Sequence, residues 1–448
     1  MRGLLTGSSL TSRVLRSSAL TVAGFGFSQS MRLLSNLVLT RLLFPEAFGL
    51  MGLVMVFMIG LQMFSDVGIG PAISRSTRGD DPVFLDTIWT VQILRGVLLF
   101  VAGCLLAYPI SVFYDEQLLF GMLILASFQF LVQGLMPTRR ETANRHLALG
   151  LVTLLEMLAQ VVGLIILIGL ALWLQSVWAL VIGTIIGAAV QVTLMTLFLP
   201  GHRNRLRMES EALREVIQFG KWIFLSTIFG FLLAQGDKLI LGKFLALDLF
   251  GIYSIGFFLG SFPMMLGMMV ISRVLIPVYR DCPPAASREN FLKLRKMRVL
   301  VTAGLLLLLG GLAFVGPWLV DLMYDDRYLS AGAVVVLIAC INIPVVIGLT
   351  YDQAALAAGE SRRFFFLTLI KASLTILGLL VGVTAGGVIG ALIGQGLGII
   401  AAYPALVWLS SRLGVWDPLH DLGFAVLGLM LACGALWWNW DAIAALAA

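Results

Sequence analysis

The chain is a succession of long apolar stretches separated by short polar or Pro/Gly-containing breaks. Apolar runs lie near 17–43, 47–74, 84–107, 118–137, 147–173 and 176–199, and again near 215–236, 247–279, 298–321, 331–358, 364–385 and 387–410. Each is long enough, as a helix, to cross a hydrocarbon core of about 30 Å, which takes roughly 20 residues. A shorter run at 421–438 is either a thirteenth span or an interfacial helix, with Trp437, Trp438 and Trp440 as interface anchors. The pattern predicts an all-α polytopic membrane protein of twelve spans, six and six, plus this C-terminal segment. The divisions are a lobe over 1–199, a basic linker over 200–214, a second lobe over 215–412 and an extension over 413–448.

Two of the breaks are near copies, 202 residues apart. Arg41-Leu-Leu-Phe-Pro-Glu46-Ala-Phe48-Gly49 and Lys243-Phe-Leu-Ala-Leu-Asp248-Leu-Phe250-Gly251 keep base, acid, Phe and Gly in register. A weaker echo pairs Phe113-Tyr114-Asp115-Glu116 with Met323-Tyr324-Asp325-Asp326. Six spans per half give both halves the same orientation, so the repeat is parallel, with a pseudo-twofold axis along the membrane normal. Duplicated bundles facing a cavity suit alternating access, which points to a transporter.

Composition agrees with that class. Of the 448 residues 60% are hydrophobic and 12% charged, against about 45–50% and 25% in soluble proteins, and the mean hydropathy is +1.00. The connecting loops are short, which argues against a catalytic domain outside the membrane. A net charge of +6 does not imply nucleic acid, because the bases sit in short loops beside apolar runs, where they set topology and meet anionic lipid. With a cytoplasmic amino terminus the inner loops collect Arg75, Arg78, Arg139, Arg140, Arg145, Arg203, Arg205, Arg207, Arg214, Arg280, Arg288, Lys293, Arg295, Lys296, Arg298, Arg362 and Arg363. The outer loops keep only Arg41, Lys238, Lys243 and Arg327. By the positive-inside rule this orients a multi-pass chain with its N-terminus in the cytoplasm. The first twenty residues lack a compact apolar core with a cleavage site, so no signal peptide is expected.

Cys104, Cys282, Cys340 and Cys433 are scattered without CxxC spacing, and His146, His202 and His420 fall in predicted loops far apart. Neither a disulfide framework nor a metal site is expected, no cofactor is implied, and without a GxxxxGK[ST] loop the chain does not hydrolyse ATP itself.

Arg32, Arg95, Glu156, Lys221, Arg273 and Lys371 lie within the runs, with Asp66, Asp237 and Asp352 near their ends. A charge at a helix centre costs about 2.5–3.5 kcal/mol on insertion scales, so these side chains should face a wet interior. Lys221 and Arg273 can also snorkel to an interface. Polar stripes at helical spacing agree: Ser28, Arg32, Asn36 and Thr40; Thr153, Glu156, Gln160 and Gly163; Gln129 and Gln133; Thr368, Lys371 and Thr375. For the uncharged members the alternative is interhelical hydrogen bonding that holds the bundle together. Gly386, Gly390, Gly394 and Gly398 form a GxxxG ladder, read as a close-packing face or as a sliding surface. Arg32 has an apolar counterpart in the other half, Ala234, so specificity is expected where the repeat breaks.

The repeat residues carry a family resemblance. Arg41-Leu-Leu-Phe-Pro-Glu-Ala-Phe-Gly-Leu-Met-Gly-Leu, Phe64-Ser-Asp66-Val-Gly68-Ile-Gly70-Pro-Ala, Gly236-Asp237-Lys238-Leu-Ile-Leu-Gly242-Lys-Phe-Leu and Leu249-Phe-Gly-Ile-Tyr253-Ser resemble the polysaccharide biosynthesis or oligosaccharide flippase family. That family is a branch of the multidrug/oligosaccharidyl-lipid/polysaccharide (MOP) exporter superfamily, and the resemblance covers residues 10 to 410. It implies two six-helix lobes in a V, and a transporter, not an enzyme. The activity implied is flipping of polyprenyl-diphosphate-linked oligosaccharide across a bacterial inner membrane for exopolysaccharide, capsule or O-antigen synthesis. A polysaccharide polymerase and a chain-length regulator are the implied partners. Asp66, Asp237 and Lys238 match the family motif. Arg32, Arg95 and Lys371 are expected to contact diphosphate or acidic sugar, Asn36, Gln129, Gln133 and Gln160 the glycan, and Glu156 a coupling ion. The rivals are a drug or metabolite cation antiporter of the same superfamily and a membrane sugar polymerase.

Overall fold

The computed structural model describes residues 10–65, 69–271, 275, 278–279, 283–357 and 360–447, and every regular element among them is a helix. The chain forms two compact units, Met1–Ile228 and Phe229–Ala448. The first contains α1 (Leu10–Leu42), α2 (Pro45–Phe64), α3 (Ile69–Arg75), α4 (Pro82–Tyr114), α5 (Gln117–Gly134), α6 (Arg139–Arg145), α7 (Leu149–Leu174), α8 (Trp178–Phe198) and the beginning of α9 (Ser210–Phe244). The second contains the rest of α9, then α10 (Leu247–Gly260), α11 (Phe262–Val270), α12 (Arg288–Met323), α13 (Ala331–Ala357), α14 (Ser361–Ala401), α15 (Tyr403–Arg412), α16 (Pro418–Trp438) and α17 (Trp440–Ala447).

The duplicated sequence motif forms a duplicated hairpin. α1 ends at Leu42 and α2 opens at Pro45, while α9 ends at Phe244 and α10 opens at Leu247, each 202 residues later. In both copies the base lies in the last turn of one helix and the acid in the first turn of the next. Each charge therefore meets the helix dipole end of opposite sign. Gly49, Phe250 and Gly251 are buried against their own units. The tyrosine echo is structural too: Tyr114 and Tyr324 are buried at helix ends, Asp115 takes a left-handed φ of 58°, and Asp325 caps a 3-10 turn by accepting from Arg327 N.

Small residues set the closest helix contacts in the first unit. A Cβ at Gly96 would lie 2.6 Å from the Phe130 carbonyl oxygen, which locks α4 on α5. Gly163 and Gly187 bring α7 onto α8, and α1 lies along α7 with Gly24 against Thr153.

The second unit is built around α13. Of the apolar window over Asp326–Asp352, 72% is buried, against 39% or less in every other candidate span, because α10, α12, α14, α15 and α16 all pack on this helix. The extension thus supplies α16 as part of the second unit's core, with Leu431 on Gly310 and Gly428 on Ile343.

Among the described residues nine helical stretches are long and apolar enough to span a membrane, or ten when α10 and α11 count as one. One of the nine, Arg362–Arg412, holds two of the predicted runs, because helical geometry fails at Gly386 and Gly387 and the chain doubles back there. Gly378 then faces Gly394, and Gly382 faces Gly390. The glycine ladder therefore packs on its own hairpin, with Gly386 in the turn.

Three expectations need correction. The run at 247–279 bends by 41° between α10 and α11, where Pro263 removes a backbone donor in the first turn of α11. The run at 47–74 divides into α2 and α3. His420 lies not in a loop but in the buried first turn of α16, which starts three residues before the apolar run because Asp417 caps it and Pro418 occupies its first position.

Candidate functional site

In the first unit the α1 stripe runs from exposed to buried. Arg32 is exposed, Asn36 is half-buried, and Thr40 is fully buried with its hydroxyl returned to the Asn36 carbonyl at 2.8 Å. On the neighbouring α7, Gln160 Oε1 is buried and has no hydrogen-bond partner among the described residues. A buried unpaired acceptor is rare, and it suits a ligand hydroxyl.

Glu156 on α7 is not alone. Arg140 on α6 donates to Glu156 Oε1 from Nε and Nη2 at 3.1 and 3.0 Å, and to Glu141 Oε1 from Nη1 at 3.0 Å. The group is two carboxylates around one guanidinium, with Asn144 donating to the second oxygen of Glu141. Arg95 on α4 donates from Nη2 to the Gln62 carbonyl at 2.9 Å and from Nε to Ser65 Oγ at 3.0 Å. It thereby satisfies the C-terminal end of α2, where helix carbonyls lack partners and carry partial negative charge. Gln129 and Gln133 on α5 are half-buried, and the Gln133 carbonyl accepts from Gln92 Nε2 at 3.2 Å. Asp66 lies outside the described residues, and the side chains of Lys221 and Arg273 are likewise not described.

In the second unit Lys371 on α14 donates to Asp352 Oδ1 on α13 at 2.6 Å, each side chain 25% exposed. An ammonium has three donors, and Asp352 takes one, so the pair can still present N–H groups to an anion. Asp237, 5% exposed, accepts from Tyr253 Oη at 2.5 Å, which ties α9 to α10. Lys238 donates to Gln235 Oε1 at 3.3 Å and lies 4.6 Å from the Phe257 ring centroid. The motif pair is thus split between a buried clamp and a half-buried cation over an aromatic face.

A large buried polar assembly of the second unit escaped the sequence reading. Arg298, 1% exposed, donates to the Val415 carbonyl at 2.9 Å and to Tyr279 Oη at 3.0 Å, and stacks on the Tyr351 ring at 4.2 Å. Asp421 accepts from Tyr351 Oη at 2.7 Å, from Trp416 Nε1 at 3.1 Å and from Tyr403 Oη. His420 Nδ1 lies 2.8 Å from the same carboxylate, and its Nε2 lies 3.1 Å from Thr302 Oγ1. Three consecutive residues of α13 therefore reach three elements: the Thr350 carbonyl accepts from Tyr279, Tyr351 holds Asp421, and Asp352 holds Lys371. Asp417-Pro418, a cap followed by a helix-starting proline, was the available signal.

The segment that leaves α8 is pinned to its own unit as well. Arg139 donates to the carbonyls of Leu199 and His202 at 2.6 and 2.8 Å, and Arg78 joins Asp81 to Glu209. The hydrogen bonds of Arg78 and of the Val83 amide hold the Asp81 carboxyl below the usual carboxylate range.

The sequence profile of a family described as polysaccharide biosynthesis protein matches residues 38–333. The chain is 23% identical over 312 residues to the teichuronic acid biosynthesis protein TuaB of Bacillus subtilis (strain 168), covering 68% of this chain and 63% of that protein, less than two thirds of its length. It is 22% identical over 360 residues to the lipopolysaccharide biosynthesis protein WzxC of Escherichia coli (strain K12), covering 80% and 72% respectively. Among solved structures, lipid II flippase MurJ in an inward closed conformation matches with a TM-score of 0.66 at 11% identity, over 95% of this chain and 100% of that one. An inward-facing multidrug resistance MATE family transporter of the MOP superfamily matches with a TM-score of 0.62 at 15% identity, over 86% and 94%. The fold is that of the MOP transporters.

Proposed function

The chain belongs to the polysaccharide biosynthesis protein family, and on that premise we propose that it flips polyprenyl-diphosphate-linked oligosaccharide across the bacterial inner membrane, for exopolysaccharide, capsule or O-antigen synthesis. The observation that carries this reading is a profile of that family lying on a fold shared from end to end with a lipid II flippase. The N-terminus is cytoplasmic, the lobes are 1–199 and 215–412 joined by 200–214, and segment 413–448 adds α16 and α17 to the second. A polymerase and a chain-length regulator take up the product.

Such a substrate poses two problems: lipid rejects its diphosphate, and its glycan needs hydrogen bonds, while the polyprenyl tail can stay in the bilayer. Arg32 and Lys371 contact the diphosphate or acidic sugars, with Arg95 beside the end of α2, and a cation of low hydration competition binds phosphate more strongly than in bulk water. Gln160, whose acceptor is already buried and unpaired, takes a glycan hydroxyl, as do Asn36, Gln129 and Gln133. With the cell interior negative, outward movement of each negative charge gains about 2.3 kcal/mol per 100 mV, so the potential alone assists export. Ion coupling at Glu156 would require the coupled cation to replace Arg140.

A cation antiporter shares the fold but needs an anionic cavity. Glu156, Asp352 and Asp237 are each committed to a protein donor, Arg140, Lys371 and Tyr253 respectively, which favours an anionic substrate. A deletion strain tests the reading. Loss of polymer with complete lipid-linked repeats retained on the cytoplasmic leaflet supports flipping, whereas unpolymerised repeats on the outer leaflet would assign the chain to polymerisation.

A further inference from the structure

The bases at one end of the first unit fall into two groups. Arg78, Arg139, Arg140 and Arg145 are engaged by carboxylates or backbone carbonyls. Arg203, Arg205 and Arg207 are exposed, and among the described residues no carboxylate forms a close ion pair with them, Asp81 feeling Arg207 only at longer range. The backbone that carries these three is nonetheless fixed. Arg205 N donates to Asp86 Oδ1 at 2.9 Å, Arg207 N to Thr90 Oγ1 at 3.0 Å and Glu209 N to Thr87 Oγ1 at 3.2 Å. His202 lies 2.7 Å from the same Asp86 oxygen, and Asn204 bonds to Thr138.

This non-helical strap presents its arginines at every second residue, which in an extended chain puts them on one face in a row roughly 13 Å long. Leu206 and Met208, at the alternate positions and so on the other face of an extended chain, are 71% and 50% exposed. The strap reaches Thr90, about 12 Å along α4 from its first residue at 1.5 Å per residue. α4 is a candidate span of 33 residues starting at Pro82, and a hydrocarbon core takes roughly 20 of them, so its first turns, which carry the strap, extend past the core towards the headgroups.

We propose that the strap is a docking site for anionic phospholipid headgroups of the leaflet at that end of α4. The guanidiniums on one face bind phosphates, and Leu206 and Met208 on the other turn towards the acyl border. Charge complementarity selects the occupant, and the length of the row selects its source: it suits neighbouring headgroups, whereas a single diphosphate spans only a fraction of it. Because the strap amides are already bonded, binding does not have to order the backbone.

The test uses the full chain in neutral detergent titrated with fluorescent phosphatidylglycerol at low salt. Each surface arginine contributes roughly fivefold to such binding, so Arg203→Gln, Arg205→Gln and Arg207→Gln together should weaken it about a hundredfold. The charge-matched triple Arg288→Gln, Lys293→Gln and Lys296→Gln in the second unit should change it less than about threefold, and added salt should weaken wild type most. Equal loss in both triples, or none in the strap triple, overturns the site. Displacement of the lipid by inorganic phosphate would reassign it to a free anion, and displacement by farnesyl diphosphate at lower concentration than phosphatidylglycerol would reassign it to substrate capture; either result overturns the phospholipid assignment.

Discussion

The glycine hairpin of α14 gives a prediction whose size can be worked from the structure. A Cβ at Gly394 would lie 2.0 Å from the Gly378 carbonyl oxygen, and one at Gly382 would lie 2.0 Å from the Gly390 carbonyl oxygen. Ordinary contact begins near 3.4 Å, so Gly394→Ala must part the two arms by about 1.4 Å. The obstacle is backbone on both sides, which no rotamer change relieves. Overpacking of this kind costs about 1–3 kcal/mol, and in lipid the lost close packing is itself the main attraction between helices. Adding Gly390→Ala should cost less than its single-variant value, because the same separation relieves both clashes. Gly387→Ala should cost about 1–3 kcal/mol by another route, since its φ of 57° rather than its surroundings excludes a side chain. Gly311→Ala, in open space on α12, should be neutral or stabilising by up to about 1 kcal/mol. Equilibrium unfolding in mild detergent reads all four. Equal stability of Gly394→Ala and Gly311→Ala would refute the packing argument.

Other consequences are as direct. Tyr253→Phe leaves the buried Asp237 without its hydroxyl donor and should cost about 1–3 kcal/mol in the same unfolding assay, more than Asp237→Asn, which keeps an acceptor. Lys371→Ala leaves Asp352 unpaired and should destabilise by about 1–2 kcal/mol after allowance for partial exposure. Adding Asp352→Ala should recover much of that stability but none of the transport. Asp421→Ala removes the acceptor shared by two tyrosines, Trp416 and His420 beside Arg298. It should cost about 3–5 kcal/mol and expose the 413–417 connection to limited proteolysis, and an unchanged cleavage pattern would count against α16 being held by this cluster.

Most of the architecture was legible because hydropathy and turn chemistry act locally. The break at Gly386 and the hairpins at Pro45 and Leu247 follow from glycine, proline and paired charge. The bend at Ser261 was hidden because the residues on both sides are uniformly apolar, and a proline among them does not say whether a span continues. The site residues were harder to read, since an intramembrane charge announces a need for a partner without naming it. Glu156 and Lys371 stood out as isolated ions, and only the fold supplies Arg140 and Asp352. Arg298 was counted among loop bases, yet it is the most buried arginine described, because α16 returns from more than a hundred residues away to cover it.

The central claim is that the chain moves a diphosphate-linked glycolipid between leaflets, with Arg32 as a contact. The most direct measurement is leaflet transfer of a polyprenyl-diphosphate-linked sugar in proteoliposomes containing wild type, Arg32→Ala or Glu156→Gln. Transfer by wild type well above protein-free vesicles, cut about tenfold or more in Arg32→Ala, is the expected result. Transfer no faster than in empty vesicles, or undiminished in both variants, would contradict it.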